Sequence, residues 1–120
     1  MNAPENETDF SKAMARSMQI RQIYHELEKR KHGTAWTPQE DMIGFTCDVG
    51  ELGRMLMAAE GRWVYPGDLK QDLGHKLSEC LWWLLVLSGR LGVDINAAFA
   101  AKMSDLESWL SASVEGGTEP

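Results

Sequence analysis

Three acidic residues on two predicted helices have the type and spacing to do chemistry. Asp48 and Glu51 lie three positions apart in the segment CDVGEL, and Glu79 lies three positions after Lys76 in the segment KLSECL. Side chains three apart on a helix share one face, about one turn apart. Carboxylates brought together in this way repel one another unless a cation lies among them, and a hard divalent cation with oxygen ligands is the usual one. The spacing predicts an acidic, metal-binding pocket between the two helices.

The surroundings of Glu79 leave two interpretations open. This residue interrupts the apolar sequence of residues 77–82, where an unpaired carboxylate would be costly to bury. Glu79 could bind a metal ion together with Asp48 and Glu51, or it could pair with Lys76 one turn earlier on its own helix. Asp48 and Glu51 alone could also be a solvated acidic edge.

Aromatic residues near the acids are similarly open to two interpretations. Trp83 could stack on a base or ribose, or it could be a core residue. The loop of residues 61–68 carries Trp63 and Tyr65, which could cover a ligand or close one end of a helix bundle. The glycines form no phosphate-binding loop and no dinucleotide-binding turn, so any phosphate chemistry would depend on metal ions.

Four helices are predicted to position these residues, and no convincing strand is present. The first begins near residue 8 or 9 and ends near Lys31, before Gly33. The second begins at Thr37, where Thr-Pro-Gln-Glu predicts a capping box, and ends near Glu60. The third covers residues 69–91, and the fourth follows Gly92 with Asp94 as its cap.

Apolar periodicity predicts which residues face the core. On the second helix these are Met42, Phe45, Val49, Leu52 and Leu56. On the third they are Leu73, Leu77, Leu81, Leu84 and Leu91. On the fourth they are Ile95, Phe99, Met103, Leu106 and Leu110. The charged side of the first helix, which includes Arg21 and Lys29, is expected to be solvated, with phosphate contact by Arg21 or Lys29 as the alternative.

Composition indicates a single acidic domain. The chain has 120 residues and a net charge of -6, with a pI near 5.0, which argues against a nucleic-acid polymer or an anionic membrane as the main partner. We expect a disordered tail at residues 1–7, one domain at 8–112 and a second tail at 113–120. The third helix is apolar nearly all round from residue 80 to 87, which favours a homo-oligomer.

Localisation is predicted from three further features. Cys47 and Cys80 lie in apolar helical patterns and are expected to be reduced packing residues. The first residues show no secretion signal, and the longest apolar run is shorter than the ~20 residues of a membrane span. These features predict a cytoplasmic protein.

The order and spacing of these motifs resemble those of the MazG-type all-α nucleoside triphosphate pyrophosphohydrolases. Asp-Val-Gly-Glu-Leu on one helix is followed by Lys-Leu-Ser-Glu-Cys-Leu-Trp-Trp-Leu-Leu on the next, and then by Leu-Gly-Val-Asp-Ile. The family motif is written EExxE, a spacer, then ExxD. The resemblance covers about residues 20–110 and implies an all-α, four-helix MazG-like bundle, assembled as a homodimer or a dimer of dimers.

The resemblance also implies roles for individual residues. Asp48 and Glu51 match acids of EExxE and Glu79 matches the aspartate of ExxD, which implies that they bind Mg²⁺, with Mn²⁺ as a substitute. Asp94 matches an aspartate that opens the last helix and is grouped with the metal ligands. Lys102 matches a lysine near the phosphates.

Substrate-contacting residues are implied in the same way. Trp83 and Trp36 fall where relatives place residues beside the nucleotide base. Glu51 is the implied general base, and Lys102, with Lys76, would stabilise charge on the phosphate oxygens.

Three positions depart from the family pattern. Cys47 replaces the first glutamate of EExxE, Glu79 is one methylene longer than the usual aspartate, and Lys76 replaces the glutamate of ExxD. Lys76 could bridge Asp48 or Glu51 and replace the metal, could touch substrate phosphate, or could point away while Asp72 or another subunit supplies an oxygen.

The implied function is Mg²⁺-dependent cleavage of a nucleoside triphosphate to the monophosphate and pyrophosphate, as in the removal of unwanted nucleotides. The alternative is a non-catalytic MazG-fold module that binds nucleotide or protein, with its metal site compromised by Lys76.

Overall fold

The structure is a computed structural model, and it describes residues 9–116. Over this range it is all-α, with four helices and no strand: α1 (Ser11–His32), α2 (Pro38–Ala59), α3 (Leu69–Arg90) and α4 (Ile95–Gly116). The predicted all-α class and the four helices are confirmed. The fourth helix continues to Gly116, beyond the expected domain end at residue 112. The other tail residues assigned as disordered, 1–7 and 117–120, lie outside the described range.

Local sequence explains where the helices begin and end. The Thr37 hydroxyl accepts from the backbone N–H of Glu40, and the Glu40 carboxylate accepts from the backbone N–H of Thr37, which confirms the capping box. Asp68 caps α3 by accepting from the backbone N–H of Gln71. Gly33 ends α1 with a φ of 83°, a left-handed conformation that glycine adopts without strain.

The helices α2 and α3 pack antiparallel, and α1 packs on α3. Two hydrogen bonds show the register between α2 and α3. Arg90 donates to Asp41, and Trp83, seven residues earlier on α3, donates to Asp48, seven residues later on α2. One more turn along α2, Glu51 meets Lys76. The acidic residues singled out in the sequence therefore belong to a line of polar contacts along the α2–α3 interface.

Helix α4 extends away from the other three helices. The axes of α3 and α4 are bent by 112°, and the turn between them contains Gly92 with a φ of 69°. Its attachment to α1 includes the Phe10 backbone N–H donating to Asn96 and the edge-to-face contact of Phe10 with Phe99. None of the described helices alone is long and apolar enough to cross a membrane; α3 and α4 satisfy that test only when joined across their bend.

The predicted core is largely wrong for the single chain. Leu77, Leu81 and Leu84 of α3 are about half exposed, and Met42, Val49 and Leu56 of α2 are similarly exposed. Among the described residues the buried apolar side chains are Met55, Trp83, Leu85 and Val86. Contacts between α2 and α3 include charged and aromatic pairs, and apolar side chains on both helices are exposed.

Candidate functional site

The predicted acidic cluster exists, and the ammonium group of Lys76 lies at its centre. The Lys76 Nζ atom lies 3.1 Å from Asp48 Oδ1, 2.7 Å from Glu51 Oε2 and 3.1 Å from Glu79 Oε1. Helix α2 supplies the first two carboxylates and α3 supplies the third together with Lys76. The structure thus brings together the three carboxylates of the predicted pocket, and it also contains the predicted pair between Lys76 and Glu79.

Burial differs among the members of this cluster. The side chains of Lys76 and Asp48 are 14% and 17% exposed, whereas those of Glu51 and Glu79 are 62% and 53% exposed. Burial alone would lower the pKa of Lys76, but its hydrogen bonds to the three carboxylates outweigh burial and raise that pKa above its ordinary value. Lys76 therefore stays positively charged at the centre of the three carboxylates.

Asp48 is held from two sides. Its Oδ2 atom accepts a hydrogen bond of 2.7 Å from the indole Nε1 of Trp83, while Oδ1 faces Lys76. Trp83 is only 8% exposed, so its ring is a core residue, in line with one of its two interpretations. The indole fixes the orientation of the Asp48 carboxylate instead of facing an open ligand site.

An open groove of about 460 Å³ borders the acidic cluster. Loop residues 63–66 line this groove together with Glu51, Lys76 and Glu79. The Tyr65 hydroxyl donates a hydrogen bond to Asp72, which also lines the groove. The loop aromatics therefore border a groove beside the acids, and Asp72, one of the groups considered as a substitute ligand, is already engaged by Tyr65.

The other predicted site residues lie elsewhere. Asp94 caps α4 by accepting a hydrogen bond from the backbone N–H of Ala97, and Lys102 is exposed on the same helix; neither lines the groove. Trp36 stacks nearly parallel to Trp83, with 6.4 Å between ring centroids and 10° between ring planes. In the single chain, these residues are not brought to the acidic cluster, except that Trp36 reaches it indirectly through Trp83.

A second charged cluster was missed in the sequence. Asp41 is fully buried and accepts hydrogen bonds from Arg21 at 2.6 Å and from Arg90 at 2.7 Å. Arg21 is 2% exposed, so the expectation that it is solvated is wrong. Its second partner is Glu28 at 2.8 Å, whose other oxygen accepts from the Trp36 backbone N–H.

Aromatic rings surround the Arg21 guanidinium. Its central carbon lies 5.5 Å from the ring centroid of Trp36, 5.6 Å from that of Trp83 and 5.9 Å from that of Tyr24. Trp83 therefore touches both clusters, through its ring on one side and its N–H group on the other. The sequence contains one indication of this second cluster. Asp41 lies seven residues, about two helical turns, before Asp48 and is therefore on the same side of α2.

The donor chemistry of the acidic cluster fits a hard divalent cation, but its arrangement does not. Carboxylate oxygens are the ligands that Mg²⁺ prefers, yet the point where they converge is filled by the Lys76 ammonium. Within residues 9–116 no group of three or more acidic, histidine or cysteine side chains is arranged to hold a metal ion. Mg²⁺ binding thus stays a prediction.

Comparison with protein-family models, with curated proteins and with solved structures finds no significant match to this chain.

Proposed function

We propose that the chain is a MazG-like nucleoside triphosphate pyrophosphohydrolase whose site is the Asp48, Glu51 and Glu79 cluster with its groove. The supporting observation is that carboxylates from two helices converge beside an open groove, at the positions that the family resemblance implies. The proposed reaction adds water across the bond between the α and β phosphates and releases the nucleoside monophosphate and pyrophosphate.

Glu51 is the proposed general base in this reaction. Its side chain is the most exposed of the three carboxylates and lines the groove, so it can reach a water molecule there. It would take a proton from that water as the oxygen attacks phosphorus. Lys76, which lines the same groove, would then compensate charge on the phosphate oxygens.

The test is a panel of canonical and modified nucleoside triphosphates with Mg²⁺ or Mn²⁺, scored for pyrophosphate against orthophosphate. We expect pyrophosphate with at least one substrate, and Glu51→Gln should lower the rate about a hundredfold or more. Glu26→Gln, an exposed change on α1, is the matched control and should leave the rate unchanged. Absence of pyrophosphate with every substrate would refute the proposal.

A second candidate function is a non-catalytic module of the same fold. The observation that favours it is the set of ion pairs of Lys76, which neutralises part of the acidic cluster without any metal ion. Such a module would bind nucleotide or protein but release no pyrophosphate. Nucleotide binding by calorimetry, with no turnover on the same panel, would favour it over the enzyme.

We further propose that the functional unit is a homo-oligomer. The radius of gyration is 18.5 Å, against about 14 Å for a compact domain of this length. Many large apolar side chains are exposed on α3 and α4, including Leu81, Leu84 and Trp109. A second copy would cover these faces, and light scattering after size-exclusion chromatography should give at least twice the 13.5 kDa mass of the chain.

A further inference from the structure

Six large apolar side chains recur at a spacing of seven residues along α2 and α3. Each is between 45% and 65% exposed in the single chain, and they are Met42, Val49, Leu56, Leu77, Leu84 and Leu91. On α3, each of them directly follows a residue that donates a hydrogen bond to α2, namely Lys76, Trp83 or Arg90. On α2, the first two directly follow Asp41 and Asp48, which accept those bonds, and the third follows the buried Met55.

These six side chains lie on one side of the helix pair. A residue one position after a contact residue is turned by about 100° around its helix axis. Two antiparallel helices are related by an approximate twofold axis perpendicular to the plane that contains them, so equal turns on both helices point to the same side of that plane. The stretches 42–56 and 77–91 each cover about 21 Å along the helix axis. The six residues therefore form one continuous surface two helices wide, the α2–α3 apolar face.

The α2–α3 apolar face carries no charge within residues 42–56 and 77–91. The charged residues of these stretches are engaged elsewhere: Asp48, Glu51 and Glu79 form the acidic cluster, Arg90 joins the buried pairs, and Arg54 lines the groove. Residues between the six on the same side are also apolar, and they include Phe45, Leu52 and Leu81. A surface of this kind fits an apolar partner surface and not a charged ligand.

The exposed area of the chain is larger than a single folded copy needs. The accessible surface is 9161 Å², whereas a compact monomer of 13.5 kDa has about 6,500 Å². Residues 1–8 and 117–120 can account for at most about 1,800 Å² of accessible surface. Residues 9–116 therefore exceed a compact domain of their own size by at least about 1,200 Å². Because a stable interface of standard size buries about 800 Å² of each partner, this excess is enough for one.

We infer that the α2–α3 apolar face is the interface between two copies of this chain, so that α2 and α3 of both copies form a four-helix bundle. A second copy presents an identical uncharged face, and a twofold axis lets each face cover the other. The spacing of seven residues is the one at which side chains of neighbouring helices interlock in bundles. This inference rests on the homo-oligomer of the proposed function and places its interface on α2 and α3 instead of α4, but it does not depend on nucleotide cleavage.

The experiment measures the mass of the full chain by light scattering after size-exclusion chromatography. We expect the wild type at twice the 13.5 kDa mass of the chain or more. Val49→Glu and Leu84→Glu place a charge on the face in both copies, which should weaken association roughly a hundredfold or more and give the mass of one chain. Ile43→Glu is the matched control, because Ile43 is exposed on α2 but lies about 100° beyond Met42, outside the face; it should match the wild type.

Hydrogen exchange of the wild-type chain gives a second measurement that needs no variant. Peptides that cover 42–56 and 77–91 should exchange roughly threefold or more slowly above the concentration at which the chain associates than below it, because association suppresses local opening. This measurement decides the question if Val49→Glu and Leu84→Glu fail to fold, and equal exchange at both concentrations would then overturn the inference.

The outcomes separate this inference from the proposals on which it builds. A wild-type chain that stays monomeric would overturn both the inference and the proposed homo-oligomer. An oligomer that persists in Val49→Glu and Leu84→Glu, with both variants helical by circular dichroism, would overturn the inference alone. Dissociation of Ile43→Glu to the same extent would also overturn it. Pyrophosphate release is measured independently and reports only on the proposed enzyme.

Discussion

The substitution Asp41→Asn tests whether the buried charge cluster stabilises the fold. Asp41 is fully buried and is the shared partner of Arg21 and Arg90. Removing one member of a buried ion pair leaves an uncompensated charge and typically costs about 3 to 5 kcal/mol. We expect a value near the lower end, about 3 kcal/mol, because Arg21 keeps Glu28 and Arg90 is partly exposed.

The matched control is Glu40→Gln. Glu40 lies beside Asp41 in the first turn of α2, so both changes remove one negative charge from the same helix N-terminus. Glu40 is exposed, and glutamine can still accept the hydrogen bond from Thr37, so only the interaction with the helix dipole weakens, by about 0.5 kcal/mol.

The assay is urea unfolding followed by circular dichroism at several matched protein concentrations, because association would also shift the midpoint. A loss of about 3 kcal/mol lowers the midpoint by roughly 1 to 2 M urea. If Asp41→Asn and Glu40→Gln shift the midpoint equally, the cluster does not stabilise the fold and the reasoning from burial is refuted.

Three other predictions concern packing, thiol reactivity and pH. An added Cβ at Gly44 would lie 2.7 Å from an indole carbon of Trp83, so Gly44→Ala should destabilise the fold by about 1 to 3 kcal/mol. An added Cβ at Gly50 would meet nothing within 4 Å, so Gly50→Ala should stabilise the fold by up to about 1 kcal/mol. Urea unfolding measures both changes. Cys47 is exposed, while burial and a nearby carboxylate raise the pKa of Cys80, so mass spectrometry should show iodoacetamide modifying Cys47 first. Burial would raise the pKa of Glu28, but hydrogen bonds to its carboxylate outweigh burial and lower that pKa. The stability that Glu28 contributes is therefore present above about pH 4.5 and is lost as the pH falls through the lower pKa of the folded state. Glu28→Gln should weaken this loss of stability at low pH, measured by unfolding at a series of pH values.

Each of these predictions has a contradicting outcome. Equal stability of the two alanine variants would mean that the tryptophan rings move aside without cost. Faster modification of Cys80 would mean that its surroundings open in solution. If Glu28→Gln loses stability at low pH as the wild type does, other carboxylates cause that loss.

The helices and the acidic cluster were predictable because both depend on local spacing. The capping box at Thr37 and the glycine at position 33 fix helix ends within a few residues, and the three-residue spacing of Asp48 and Glu51 places them on one face of α2. These features need no knowledge of tertiary packing. The prediction that Glu79 joins them needed the additional observation of a charge within apolar sequence.

The buried pairs of Asp41 were not predictable in the same way. Its partners Arg21 and Arg90 lie 20 and 49 positions away in the sequence, and no local pattern links them. Apolar periodicity also misled the choice of core faces, because it cannot distinguish a face that packs within one chain from a face that remains open. Leu81 and Leu84 satisfy the pattern and are nevertheless about half exposed.

The register between α2 and α3 separates two kinds of charge along one interface. Asp41, whose buried pairs support the fold, lies seven residues from Asp48, a distance of about 10 Å along the helix. Glu51 and Glu79 of the acidic cluster are more than half exposed, whereas Asp48 is linked to the buried pairs through Trp83. Substitutions at Glu51 or Glu79 can therefore alter the charge of the site while the buried pairs of Asp41 stay in place, whereas a substitution at Asp48 would also disturb the tryptophan that packs against Arg21.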